Sequence, residues 1–388
     1  MNYPNPNVET EKVKKQYEEL MYGVWRNGEK VEYSIEEDGA HILSFFGVKP
    51  ATGAKKLNVK VSFEGRSTEF SVPVYLPNSK ECKMPKGGRP FLICMHELPS
   101  QEYALKHGYA IIIMNAYEIA SDNYEHKGCF YDIHPYGKDA KDQTGVLMAW
   151  SWGCSKILDA LIEGAAKEFL LNTDNAIVTG VSRWGKATAV CGLFDTRFKM
   201  VVPACSGAGG LALYRFMSEG MTFDFSGKGA SPEYTYTKNE PLGSLLADGE
   251  KGWFNDRFSE FSDEWDIPLE QYELVTACAD KDRYYFIIGA LTSEDWVNAP
   301  SMWACYLMAN SVYEKKGLSD HLVCNFHKEG HAVIEEDMMY IIEFFNEKVY
   351  GIKSSADLSV LKTSEFEKEP NSKYFEEIEK IKNKFEED

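Results

Sequence analysis

Asn175-Ala176-Ile177-Val178-Thr179-Gly180-Val181-Ser182-Arg183-Trp184-Gly185-Lys186 decides the fold. Its first five residues read as a buried strand, with an apolar centre at Ala176–Val178 and β-branched content. A glycine-flanked serine follows at once, and Trp184–Phe194 then carries a helical pattern. Strand, tight turn and helix in that order make a nucleophile elbow. The turn lifts a serine oxygen above the sheet, and the helix N-terminus aims backbone N–H groups at a developing oxyanion. The usual spacing is G-x-S-x-G, whereas here the second glycine comes one place later. A serine N-cap followed by a packing glycine is the competing reading.

Outward from this stretch the chain alternates strands and helices. Pro90–Met95 and Ala110–Met114 are further continuous apolar runs, and Met200–Pro203, Tyr284–Gly289 and His321–Asn325 are shorter ones. Thr144–Gly164, Met302–Lys316 and Glu335–Val349 have the helical period, and residues 7–22 read as an amphipathic helix. Lys56–Phe63 and Glu69–Leu76 alternate as antiparallel strands do. This rhythm predicts an α/β fold with a mostly parallel sheet between two helical layers. Residues 211–270 break it with Gly, Ser, Tyr and Phe, and read as an insertion over the sheet's carboxyl edge, where ligands bind in such folds. Residues 365–388 read as a charged helical tail of the same single domain.

The chain has 388 residues, 44% of them hydrophobic, enough for one large core. A formal charge of −18 argues against nucleic acid or an anionic membrane as a partner. Nine cysteines at irregular spacing, with no C-x-x-C pair, predict free thiols in a reducing compartment. Residues 1–19 are polar and lack the apolar core of a signal peptide. The expectation is cytoplasmic, or secreted if a leader has been removed.

A serine hydroxyl needs a base. In the α/β-hydrolase order of serine, acid, histidine, three histidines follow Ser182: His321, His327 and His331. His331 stands in the loop Glu329-Gly330-His331-Ala332 between a strand and a helix, where that fold places its base. His327 is second, and His321 opens a strand. The acid belongs after the strand Tyr284–Gly289, where Thr292-Ser293-Glu294-Asp295-Trp296 offers two carboxylates.

Gly180-Val181-Ser182-Arg183-Trp184-Gly185-Lys186 resembles the G-C-S-R-x-G-K motif of the glucuronoyl esterases, carbohydrate esterase family 15. Gly145 to Leu161 resembles that family's G-x-L-x-A-W-A-W-G-x-S-R-x-x-D-A-L helix, Pro203 to Gly210 its P-x-E-S-G-x-G-G, and Gly249 to Phe254 its G-E-N-x-W-F. The matches run in order over roughly residues 90–350. The resemblance implies hydrolysis of 4-O-methyl-glucuronate esters that join xylan to lignin alcohols, without metal or cofactor. It makes Ser182 the nucleophile, His331 the proton relay and Arg183 the oxyanion stabiliser. Lys186, Glu250 and Trp296 would hold the sugar, a uronic-acid ester of the plant cell wall. Two cations in a helix's first turn oppose its dipole, which also favours a function for Arg183 and Lys186.

The departures are specific. The family's acid in P-x-E-S-G falls on Cys205, and a thiol cannot serve His331 as a carboxylate does. Other members place the acid two residues before the tryptophan; Glu294 fits that spacing, and the neighbouring Asp295 is the alternative. A glutamine expected eight places before Glu250 falls on Leu242, and a paired cysteine beside the serine and beside the histidine falls on Val181 and Ala332. A carbohydrate deacetylase or general esterase of the same fold, and a non-catalytic carbohydrate-binding relative, are the alternatives.

Overall fold

The computed structural model describes residues 10–37, 54–78, 82–216, 221–223, 234–236, 240–247, 249–291, 297–364, 366 and 372–386. Eleven strands are described: β1 (Lys30–Glu36), β2 (Lys55–Phe63), β3 (Arg66–Tyr75), β4 (Arg89–Cys94), β5 (Ala110–Ile113), β6 (Leu171–Val181), β7 (Met200–Ala204), β8 (Met221–Phe223), β9 (Tyr234–Tyr236), β10 (Tyr284–Ala290) and β11 (Leu322–His327). Nine form one sheet in the order β1-β2-β3-β5-β4-β6-β7-β10-β11, and β8 and β9 pair as a separate hairpin. From β5 to β11 the neighbours are parallel, and from β1 to β5 they are antiparallel. This is the α/β-hydrolase fold.

The apolar runs form the parallel centre because helices cover both of its faces. All six residues of β4 are buried, as are the last seven of β6. β1 was not assigned from the sequence. It is an edge strand whose Val31, Tyr33 and Ile35 are only half-buried between exposed polar neighbours. β4 has β5 on one side and β6 on the other, so the chain reverses its direction of growth between β4 and β6. The crevice at such a reversal, beyond the carboxyl ends of the strands, is where open α/β sheets bind ligands. No described helix is long and apolar enough to cross a membrane. All nine cysteines are free, eight of them buried.

The helix Val146–Ala160 is buried on every side except at Asp159, rather than along the one stripe its sequence suggests. The segment before β1 covers its other face and plants Glu29 there. The Glu29 carboxylate accepts from His134 Nε2 at 2.8 Å, Trp152 Nε1 at 3.0 Å and Lys156 Nζ at 3.0 Å. Burial alone would raise its pKa, but the His134 hydrogen bond and the Lys156 charge outweigh it. They hold the group at about 2, down from 4.5. Glu29→Gln is expected to cost about 2 kcal/mol at pH 7, because Lys156 and His134 lose a buried partner. A carboxylate with a depressed folded pKa stabilises above its unfolded value and loses that contribution as pH falls through the folded one. The gap in urea midpoint between wild type and variant should therefore be full above pH 4.5 and close towards pH 2. A gap that is constant over this range would contradict the assignment.

Candidate active site

β6 ends at Val181 and the elbow helix, Arg183–Phe194, begins two residues later. Ser182 bridges them with φ 63° and ψ −128°. This is a strained backbone for a residue with a Cβ, costing about 1–3 kcal/mol, and such strain collects at functional sites. Its N–H donates to Ala204 O at 3.0 Å, and its carbonyl accepts the first helical bond from Lys186 N at 2.9 Å. The side chain makes no capping hydrogen bond, which removes the N-cap reading. Both glycines are steric requirements. A Cβ on Gly180 would meet Trp184 O at 2.7 Å, and one on Gly185 would meet Ala204 O at 2.3 Å. The late second glycine thus marks where the elbow helix crosses the end of β7.

Ser182 opens on a pocket of about 350 Å³, walled by His96, Leu98, Pro99, Trp184, His331 and Ala332 among others. Two histidines face it. His96, from the loop after β4, has both ring nitrogens engaged by backbone. Val181 N–H donates to Nε2 at 3.0 Å, and Nδ1 lies 2.5 Å from Glu97 O. Nε2 must then be the bare nitrogen and Nδ1 the protonated one. Burial drives the His96 pKa down to about 4, against the Glu97 carbonyl and with help from His331. His96 is neutral and both of its ring nitrogens are engaged by backbone, so of the two histidines it is the one that does not offer a nitrogen to Ser182. Chain order looks only after the serine, so it could not find His96.

His327, the second candidate base, does not line this pocket. It is buried, with Nε2 3.1 Å from Ala332 O and 3.3 Å from Asp337 Oδ2. His321 places Nδ1 on Arg283 O and stacks on Tyr284, a structural role. Glu294, Asp295 and Trp296 lie outside the described residues. Cys205 is buried at the end of β7 with φ 45°, its N–H donating to Ile288 O at 2.8 Å.

The cations of the elbow helix each have an acidic partner. The Arg183 guanidinium pairs with Asp122 Oδ2, whose other oxygen accepts from Trp253 Nε1 at 2.7 Å. Lys186 Nζ donates to Ser206 O at 2.8 Å, Ala208 O at 2.7 Å and Glu240 Oε2 at 2.7 Å. Its three protons are thereby spent inside the protein. A direct contact with a sugar hydroxyl would have to displace one of these bonds. These partners also remove the conflict with the helix dipole. Both cations lie about 5.5 Å from the Trp253 ring, so the indole separates two ion pairs. Leu242 is buried, and the polar group on Lys186 comes from Glu240, two residues earlier. Glu250 differs from all of these. Its Oε2 is buried without a hydrogen-bond partner, and burial and Glu240 raise its pKa against Lys186 and Arg183. Among the described residues this oxygen has no donor, so it keeps free capacity to accept a hydrogen bond.

The sequence model for fungal glucuronyl esterases matches residues 59–317. The chain belongs to the glucuronyl esterase family. A multidomain esterase of Ruminococcus flavefaciens is 49% identical over 356 residues, 90% of this chain and 44% of that protein. A 4-O-methyl-glucuronoyl methylesterase of Hypocrea jecorina is 29% identical over 276 residues, 69% of this chain and 52% of that one. The chain thus spans about half the length of these two relatives. A solved family 15 glucuronoyl esterase from Caldicellulosiruptor kristjansonii superimposes with a TM-score of 0.76 at 30% identity, covering 92% of this chain and 87% of the other.

Proposed function

We propose that this glucuronyl esterase family member hydrolyses glucuronoyl esters of plant cell-wall carbohydrate, with Ser182 as nucleophile and His331 as base. One observation carries the reading: a strained Ser182 shares its pocket with His331 and stands at the head of a helix that bears Arg183. Ser182 Oγ attacks the ester carbonyl while His331 takes its proton. The oxyanion is held by the Arg183 backbone N–H and guanidinium. His331 returns the proton to the departing alcohol, then activates the water that frees the acid. Glu294 or Asp295 orients His331. Glu250 accepts from a sugar hydroxyl, Trp296 lies against the ring, and Lys186 acts by holding Glu240 and the 206–208 backbone in place.

The engaged Lys186 and Cys205 at the family's acid position favour a second reading, an esterase of acetylated carbohydrate. Turnover of benzyl or methyl glucuronate against an aryl acetate separates the two. Preference for the glucuronates by at least tenfold in kcat/KM is expected, and turnover of acetates alone would sink the first reading. Glu250→Gln should raise KM for the glucuronate about tenfold or more, since a hydrogen bond to a charged acceptor is worth about 1.5–3 kcal/mol. It should leave the acetate unchanged. An equal effect on both substrates would remove Glu250 from the sugar site.

A further inference from the structure

His331 sits in the loop 328–334 between β11 and the helix Glu335–Tyr350. Loops are the loosest part of a fold, and a base misplaced by about 1 Å can lose a factor of about 10² in rate. This loop is gripped at the three residues that follow His331. His327 Nε2 donates to Ala332 O at 3.1 Å. Ser100 Oγ donates to Val333 O at 2.7 Å. Ile334 N donates to Asp337 Oδ2 at 2.9 Å, while Asn325 Nδ2 fixes the other Asp337 oxygen at 2.7 Å. Ser100 and the side chains of His327 and Asp337 are all buried, so water does not compete for these bonds.

Nε2 of His327 faces two acceptors, Ala332 O and Asp337 Oδ2, and therefore donates. Nδ1 is buried with no hydrogen-bond partner among the described residues, so the ring's hold on the loop runs through Nε2. Ser100 belongs to the loop after β4, four residues beyond His96. At its other end that loop accepts the N–H of Val181, the residue before Ser182, on His96 Nε2. One short segment, 96–100, thus holds the nucleophile's turn at one end and the base's loop at the other.

We propose that His96, Ser100 and His327 form a non-covalent clasp that holds the His331 loop in register with the Ser182 elbow. The inference rests on Ser182 and His331 being the working pair. All three act as positioning residues: Ser100 and His327 stand outside the pocket lining, and His96, which walls the pocket, acts here through its bond to the Val181 N–H. Ser100→Ala and His327→Leu should each lower kcat for the glucuronate ester about tenfold with KM within about twofold, the pattern of a misplaced base. His327→Gln, which keeps an N–H towards Ala332 O, and Ser100→Thr should each retain at least about half of kcat. Ser100→Ala guards the test if His327→Leu fails to fold. The rate at which a fluorophosphonate labels Ser182 should fall in parallel, since it needs the Ser–His geometry and no sugar. Folded Ser100→Ala and His327→Leu proteins with wild-type kcat and labelling would overturn the clasp, as would equal losses in the Leu and Gln variants. A wild type that labels at Ser182 but cleaves no glucuronate defeats the substrate reading, and the labelling rates alone then decide the clasp. A wild type that fails to label defeats the clasp itself.

Discussion

Ser182→Ala is expected to lower kcat by about 10⁴ to 10⁶ while leaving the fold intact, because a nucleophile removed from a triad leaves only binding and oxyanion stabilisation. The measurement is turnover of benzyl glucuronate by wild type and variant with matched circular dichroism. A loss below about tenfold would place the nucleophile elsewhere. A second substitution at this position separates chemistry from strain. The φ of 63° is tolerated by glycine and opposed by any Cβ. Ser182→Gly should therefore be as inactive as Ser182→Ala yet more stable than it in urea, by about 1 kcal/mol. Stability then differs between two equally inactive variants, which separates the strain of the turn from the chemistry of the hydroxyl. Equal stability of the two variants would mean that the turn is relaxed.

The residues that could be read from sequence are those whose environment is local or repetitive. β4 and β6 are visible because both faces are covered at their centres, which gives each an unbroken apolar run, Pro90–Cys94 and Ala176–Val178. Ser182 is visible because an elbow needs only a strand, two glycines and a helix in succession. β1 does carry a local signal, Val31, Tyr33 and Ile35 alternating with polar residues as on a half-exposed edge strand. What is not legible is its pairing, because its partner β2 begins some twenty residues later. Asp122, Glu240, Glu29 and His96 carry no period and no fixed spacing to the groups they serve. An ion pair such as Lys186–Glu240 spans 54 residues of chain and exists only once the sheet has assembled. Lys186 shows the cost of that blindness. Its place in the motif is plain in the sequence, but its three internal acceptors are not. The loss of both cysteines at Val181 and Ala332 was legible, whereas the bonds to the Val181 N–H and the Ala332 carbonyl were not.

Gly185→Ala carries the second large effect, and here two physical rules disagree. Gly185 lies in the first turn of the elbow helix, and helix propensity favours alanine over glycine by up to about 1 kcal/mol. The added Cβ would stand 2.3 Å from Ala204 O and 3.2 Å from both Gly180 O and Ser206 Cβ. The nearest of these atoms is backbone at the end of a buried central strand, and the Ala204 carbonyl also accepts from Ser182 N. It cannot yield without moving the nucleophile. Overpacking of this kind costs about 1–3 kcal/mol, and more where backbone must shift, which exceeds the gain in propensity. Gly185→Ala should therefore lose about 2–4 kcal/mol in urea unfolding. It should also lose at least about tenfold in kcat through the displaced elbow. Gly243 supplies the control. It too is helical, but a Cβ there meets nothing within 4 Å, so Gly243→Ala should be neutral or slightly stabilising. If Gly185→Ala matched Gly243→Ala in both stability and rate, the elbow helix would not be in contact with the end of β7, and the account of the displaced second glycine would fail with it.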